Sequence, residues 1–134
     1  MLWEMKLIKI REEADILKAR NAAKVMAMDM GFGLVDQTRI ATAVSELARN
    51  VFTYAGEGEV QIQEDCKPQR GIKVTFIDRG PGIEDVDLAL TDGFSTGRSM
   101  GKGLPGAKRL MDSLEIETQP GKGTTVTVEK WLSD

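Results

Sequence analysis

Ile72-Lys73-Val74-Thr75-Phe76-Ile77-Asp78 runs straight into Arg79-Gly80-Pro81-Gly82. The apolar–polar alternation of the first seven residues predicts a half-buried strand, and Gly-Pro-Gly after it predicts a sharp turn. The strand therefore ends on a carboxylate that the turn leaves uncovered. An Asp before such a turn is common in its own right, because its side chain bonds the turn backbone. What gives Asp78 weight is the company it keeps on either side.

Upstream, Asp36 reads as the N-cap of a helix reaching about Tyr54, with Ile40, Ala43, Val44, Leu47, Ala48 and Val51 at three- and four-residue intervals. Glu46 and Asn50 lie off that stripe. Being i and i+4, they leave one helix face and can converge on one ion or water. Alone, they read as a surface Glu46–Arg49 ion pair with Asn50 beside it; the other motifs reverse that reading.

Downstream stands Gly101-Lys102-Gly103-Leu104-Pro105-Gly106. It satisfies G-x-G-x-x-G by letter, but that fingerprint should follow a buried strand. Here it follows the polar run Thr91 to Met100. A P-loop fails too, since three residues rather than four precede Gly101-Lys102 and Gly103 stands where Ser or Thr is required. The remaining reading is a helix starting at Gly103 or Leu104 and running to Ser113, with Pro105 in its first turn. Its free N–H groups suit phosphate oxygens, and glycine permits close approach. Lys102 reads equally as a point charge on that anion or as a solvated lysine.

Together these motifs describe an ATP site. A carboxylate only accepts hydrogen bonds, so Asp78 selects the adenine amino group over the carbonyl guanine presents there. Thr124 and Thr125, opening the last strand, read either as a hydroxyl completing the base contact through water or as plain β-branched strand residues.

The rest of the chain completes an alternation of elements. Trp3 to Ile10 predicts a strand and Glu12 to Met30 a helix ended by Gly31 and Gly33, its Met residues serving as core filler. Glu59 to Gln63 and Ile72 to Asp78 predict a hairpin, with a polar loop from Cys66 to Gly71 between them. Arg79 to Gly103 reads as a lid with one helical piece at Glu84 to Leu90. Leu114 to Thr118 and Thr124 to Leu132 form a closing hairpin about Gly121-Lys122-Gly123.

The 134 residues predict one domain. A net charge of −3 without a basic run argues against nucleic acid. No apolar stretch is long enough for a membrane span, and the lone Cys66 excludes an internal disulfide. A cytoplasmic location is expected. Histidine is absent, which removes imidazole catalysis and any self-phosphorylated histidine.

On these residues the chain resembles the GHKL (Bergerat-fold) ATPase superfamily. Glu46–Asn50 resembles its N box, Asp78–Gly82 its first glycine box, Gly101–Gly106 its second, and Gly123-Thr124-Thr125 its trailing Gly-Thr motif. Ala43 to Asn50, Asp92 to Thr96, Gly103 to Asp112 and Lys130-Trp131-Leu132 are similar to the stressosome switch-kinase branch. Pro105, where wider-family ATPases have glycine, favours that branch.

The resemblance implies an α+β two-layer sandwich, with helices on one face of a mixed, mostly antiparallel sheet. It implies ATP and Mg²⁺ as cofactors, with Asn50 holding the metal and Glu46 orienting or deprotonating the attacking hydroxyl. Asp78 would bind adenine; Gly80, Gly82, Gly101, Lys102, Gly103, Leu104 and Thr125 would shape the nucleotide pocket. The implied activity is a serine/threonine kinase acting on STAS-domain scaffold or antagonist proteins, which on release activates a PP2C-type phosphatase. With no histidine, the acceptor lies on another chain. Two alternatives stay open: an anti-sigma-factor kinase, and a nucleotide-responsive module that activates a phosphatase with little transfer.

Overall fold

The computed structural model describes residues 5–66, 69–80 and 100–133. In chain order these form β1 (Met5–Ile10), α1 (Ala14–Met30), α2 (Leu34–Ala55), β2 (Gly58–Asp65), β3 (Gly71–Asp78), α3 (Met100–Leu110), β4 (Ser113–Gln119) and β5 (Gly123–Trp131). The strands make one sheet in the order β1-β2-β3-β5-β4. Every described pairing is antiparallel, so the parallel component of a mixed sheet is not found among these strands.

Strand alternation decides which face is covered. Val60 and Ile62 of β2, Ile72, Val74 and Phe76 of β3, and Val126 and Val128 of β5 are buried together with α1, α2 and α3 side chains in one core. The residues between them, such as Gln61, Thr75 and Thr127, occupy the other face and are only partly buried. The result is the expected two-layer α+β architecture, three described helices on one side of the sheet. Each large side chain so buried contributes about 1.5–3 kcal/mol, and this covered face holds the helices in place.

The helix ends differ from expectation in two places. α2 begins at Leu34 with the extended Gly33 as its N-cap, the Gln37 N–H bonding the Gly33 carbonyl at 2.9 Å. Asp36 therefore sits inside the first turn and caps nothing. Its carboxylate instead meets Arg39 at 3.2 Å and Lys130 at 3.9 Å. α3 begins at Met100, not at Gly103 or Leu104, and ends at Leu110, short of Ser113. Pro105 thus lies in the helix interior, where it frees the carbonyl four residues back, that of Gly101.

α1 ends as its glycine predicts. Gly31 adopts φ 98°, and the Gly31 and Phe32 N–H groups bond the Met28 and Ala27 carbonyls, the pattern that satisfies a helix's last carbonyls. Both expected hairpins, β2–β3 and β4–β5, form, and the helical piece at Glu84 to Leu90 lies outside the described residues.

The contact that positions the site is between the end of α2 and the β2–β3 hairpin. A Cβ on Gly58 would stand 2.5 Å from the Ile77 carbonyl oxygen and 2.6 Å from Val51 Cγ1, and one on Gly80 would stand 2.8 Å from Ala55 Cβ. Backbone and helix touch only because neither glycine carries a side chain. Gly58→Ala is expected to destabilise the fold by about 1–3 kcal/mol through this overpacking, read as a lowered urea midpoint with an unchanged denaturant slope.

Candidate functional site

Asp78 is the last residue of β3 and faces the helix layer. Its Cβ lies 3.3 Å from the point where a Gly58 Cβ would stand, beneath Val51. The carboxylate accepts the Gly80 N–H at 2.8 Å, which folds the turn back over the strand end. Burial raises its pKa above the ordinary 3.8, opposed by hydrogen bonds from the Gly80 and Thr124 backbone N–H groups. A half-buried carboxylate held by two amides has lone pairs left for a ligand donor.

Thr124 is the cross-strand partner of Asp78, whereas Thr125 is paired with Ile77. Alternation places Thr125 on the outer face of the sheet, away from the carboxylate. The threonine beside Asp78 is therefore Thr124. Thr124 is buried, with its hydroxyl 2.9 Å from that of Thr118. The Thr118 hydroxyl donates to the Gly123 carbonyl at 3.1 Å. Each hydroxyl has one proton, so Thr124 donates to Thr118 and keeps acceptor capacity.

α2 acts as a ruler along the rest of the site. Leu47 and Asn50 lie within about 40° of Asp36 around the helix, at 100° per residue, with Glu46 at the solvent margin of the same flank. The opposite flank belongs to α1, where Gln37 donates to the Phe32 carbonyl at 2.8 Å. α3 packs on the Asp36 side, its C-terminal Leu110 carbonyl bonded by Lys130, the same lysine that reaches Asp36. The two helices thus run in opposite directions. α3 covers about 15 Å of helix from Leu110 back to Met100 and packs on α2 along its length.

The first turn of α3 contains Gly101, Lys102 and Gly103, whose position in the helix makes their N–H groups part of the orphaned first set. Leu104 is different. Its side chain is buried in the core, so it anchors α3. Glu46 and Asn50 are half-buried and, among the described residues, make no side-chain hydrogen bond or ion pair; the Glu46–Arg49 pair is not formed. Gly82 lies outside the described residues.

Among the described residues no cluster of three acidic, His or Cys side chains could cage a metal. This fits Mg²⁺ only in the manner it adopts with nucleotides, one or two protein oxygens plus phosphates and water. An open depression of about 300 Å³ reaches Asp78 and Gly58 and is otherwise lined by Lys9, Arg11, Glu57, Glu59, Ile77 and Arg79. Lys9, Glu59 and Ile77 are cross-strand neighbours on the outer face. It carries both charge signs and, of the candidate site residues, includes Asp78 but neither Glu46 nor Asn50.

A family model for histidine kinase-, DNA gyrase B- and HSP90-like ATPases matches residues 35–134. The chain belongs to this ATPase family. It is 45% identical over 126 residues to the serine/threonine-protein kinase RsbT of Bacillus subtilis, covering 93% of this chain and 95% of that one. It is 33% identical over 119 residues to an anti-sigma F factor of Thermoanaerobacter, covering 85% and 83%. Among solved structures, the RsbU and RsbW domains of a Mycobacterium tuberculosis protein match with a TM-score of 0.69 at 17% identity, over all of this chain and 33% of that one. The catalytic domain of the histidine kinase ThkA matches with a TM-score of 0.55 at 18% identity. The two structures share the fold; the kinship to RsbT makes this family member a protein-serine/threonine kinase. No described helix is long and apolar enough to cross a membrane.

Asp78 gives a pH test. A carboxyl whose folded pKa lies above its unfolded value favours the fold while protonated, and that advantage is lost as pH rises through the folded value. Asp78→Asn keeps an acceptor for Gly80 without the charge. It is expected to equal or exceed the parent in thermal stability at pH 7, the difference closing as pH falls below the ordinary value of 3.8.

Proposed function

We propose that this kinase transfers the γ-phosphoryl group of Mg·ATP to a serine or threonine of a STAS-domain scaffold or antagonist protein. Released from that partner, it binds and activates a PP2C-type phosphatase. The observation that carries the nucleotide reading is Asp78 beneath Val51 and Ala55, with Asn50 and Glu46 in the preceding turns of the same helix and α3 packed against it. The partner reading is supported by the 45% identity to RsbT.

In this reading Asp78 accepts from the adenine amino group, and Thr124 accepts from a water on the same ring edge. Asn50 offers an oxygen to Mg²⁺, which when bound neutralises charge on the phosphates. The N–H groups of Met100 to Gly103 take phosphate oxygens. Glu46 orients the acceptor hydroxyl and takes its proton as the hydroxyl oxygen bonds to phosphorus; the bond from phosphorus to the bridging oxygen breaks and ADP leaves with the electron pair. Positioning and charge neutralisation suffice for such a transfer.

A kinase that sequesters a sigma factor is the second reading, favoured by the 33% identity to an anti-sigma F factor. Co-purification with a sigma factor would select it.

Incubation with labelled ATP, Mg²⁺ and candidate STAS proteins, followed by mapping of the label, tests the reaction. Transfer to a serine or threonine of one of them is expected; label on none of them contradicts the substrate class. Glu46→Ala should lower transfer by about 10²–10⁴-fold, the usual contribution of a positioned base, with nucleotide binding retained. Unchanged transfer would remove Glu46 from the reaction. Asn50→Asp separates the two roles: activation of the phosphatase that survives loss of transfer is a binding function.

A further inference from the structure

Lys130, in the inner strand β5, is the one lysine among the buried residues described, its side chain 8% exposed. Its ammonium meets three elements at once. It donates to the Leu110 carbonyl at the C-terminus of α3 at 2.9 Å. It lies 3.7 Å from the Asp112 carboxylate just beyond α3 and 3.9 Å from Asp36 in the first turn of α2. Asp36 also pairs with Arg39 at 3.2 Å, and Asp112 accepts the Trp131 N–H at 2.8 Å. A buried cation persists only when paired, and here the pairing joins the last turn of α3 to the first turn of α2.

We infer that Lys130 is a positioning residue that sets how far α3 lies along α2, and thereby where the first turn of α3 meets the phosphates. The positive charge suits the carbonyl end of the helix, where the macrodipole is negative. It grips α3 at the end opposite the turn that would take phosphate. Pro105 removes a rung between these ends, so placing the first turn depends on how firmly the rest of α3 is held. The adenine end, at Asp78 and Thr124, belongs to the sheet and does not depend on α3.

That difference separates a positioning role from a merely structural one. The phosphate part rests on the nucleotide reading given above; the clamp does not. Lys130→Met keeps the stem and removes the ammonium. In the ligand-free protein, the amides of Ala107 to Met111 should exchange hydrogen about tenfold faster, with β2 and β3 unchanged. In calorimetry, the ATP dissociation constant should rise about tenfold, as for loss of a charge-assisted hydrogen bond, with adenosine affinity kept within about twofold. Asp36→Asn removes one carboxylate and leaves the Leu110 bond; it should shift both readouts the same way by less, and carries the test if Lys130→Met does not fold.

Uniformly faster exchange, or equal losses for ATP and adenosine, would overturn the inference. Wild-type protein that binds ATP no better than adenosine would refute the phosphate reading instead, and the exchange experiment would then judge the clamp alone.

Discussion

The site depends on one close approach: the last two turns of α2 resting on the end of the β2–β3 hairpin, where Gly58 and Gly80 leave no side chain in the way. That contact brings a strand-end carboxylate under a helix whose preceding turn carries Asn50 and Glu46. Both glycines act here through space, not through an unusual backbone angle. A methyl group at either position would push α2 off the sheet and open the site from below.

Around that contact the architecture is ordinary, and two buried charges depart from it. The covered sheet face is Val, Ile and Phe, and the helices meet it with Ala, Val, Ile and Leu. Asp78 breaks the pattern as a carboxylate whose burial pushes its pKa up. Such perturbed groups concentrate at functional sites, where part of the fold's stability is given up to hold an acceptor dry. Lys130 breaks the pattern in the opposite sense, as a buried cation whose partners are all supplied.

Much of this was legible in the sequence, and the failures have physical causes. Period-two and period-3.6 patterns located the described strands, α1 and α2, since burial of one face leaves a strong periodic trace; α3 was marked by its glycines and Pro105. Helix starts were less visible. Asp36 looked like an N-cap because Asp caps helices well, but Gly33 can cap without a side chain and Asp36 is drawn to Arg39 and Lys130. α3 was expected too late because Gly101 and Gly103 favour turns and Pro105 favours a first turn; packing of Leu104 and Ala107 on α2 overrides both.

Thr124 and Thr125 are adjacent in the sequence, and in a strand one residue is the whole difference between two faces. Only the register, Asp78 opposite Thr124, shows which threonine accompanies the carboxylate. Lys130 had no local signal at all: its partners Asp36, Leu110 and Asp112 come from distant segments, and only the folded sheet brings them together.

The central claim is that adenine, metal and phosphates line up along α2. A crystal structure with a non-hydrolysable ATP analogue and Mg²⁺ tests it most directly. The account predicts the adenine amino group on the Asp78 carboxylate, Mg²⁺ on the Asn50 side-chain oxygen and phosphate oxygens on the first-turn amides of α3. A nucleotide seated in the outer-face depression beside Lys9 and Arg11, or one bound with Asn50 and α3 out of contact, would contradict it.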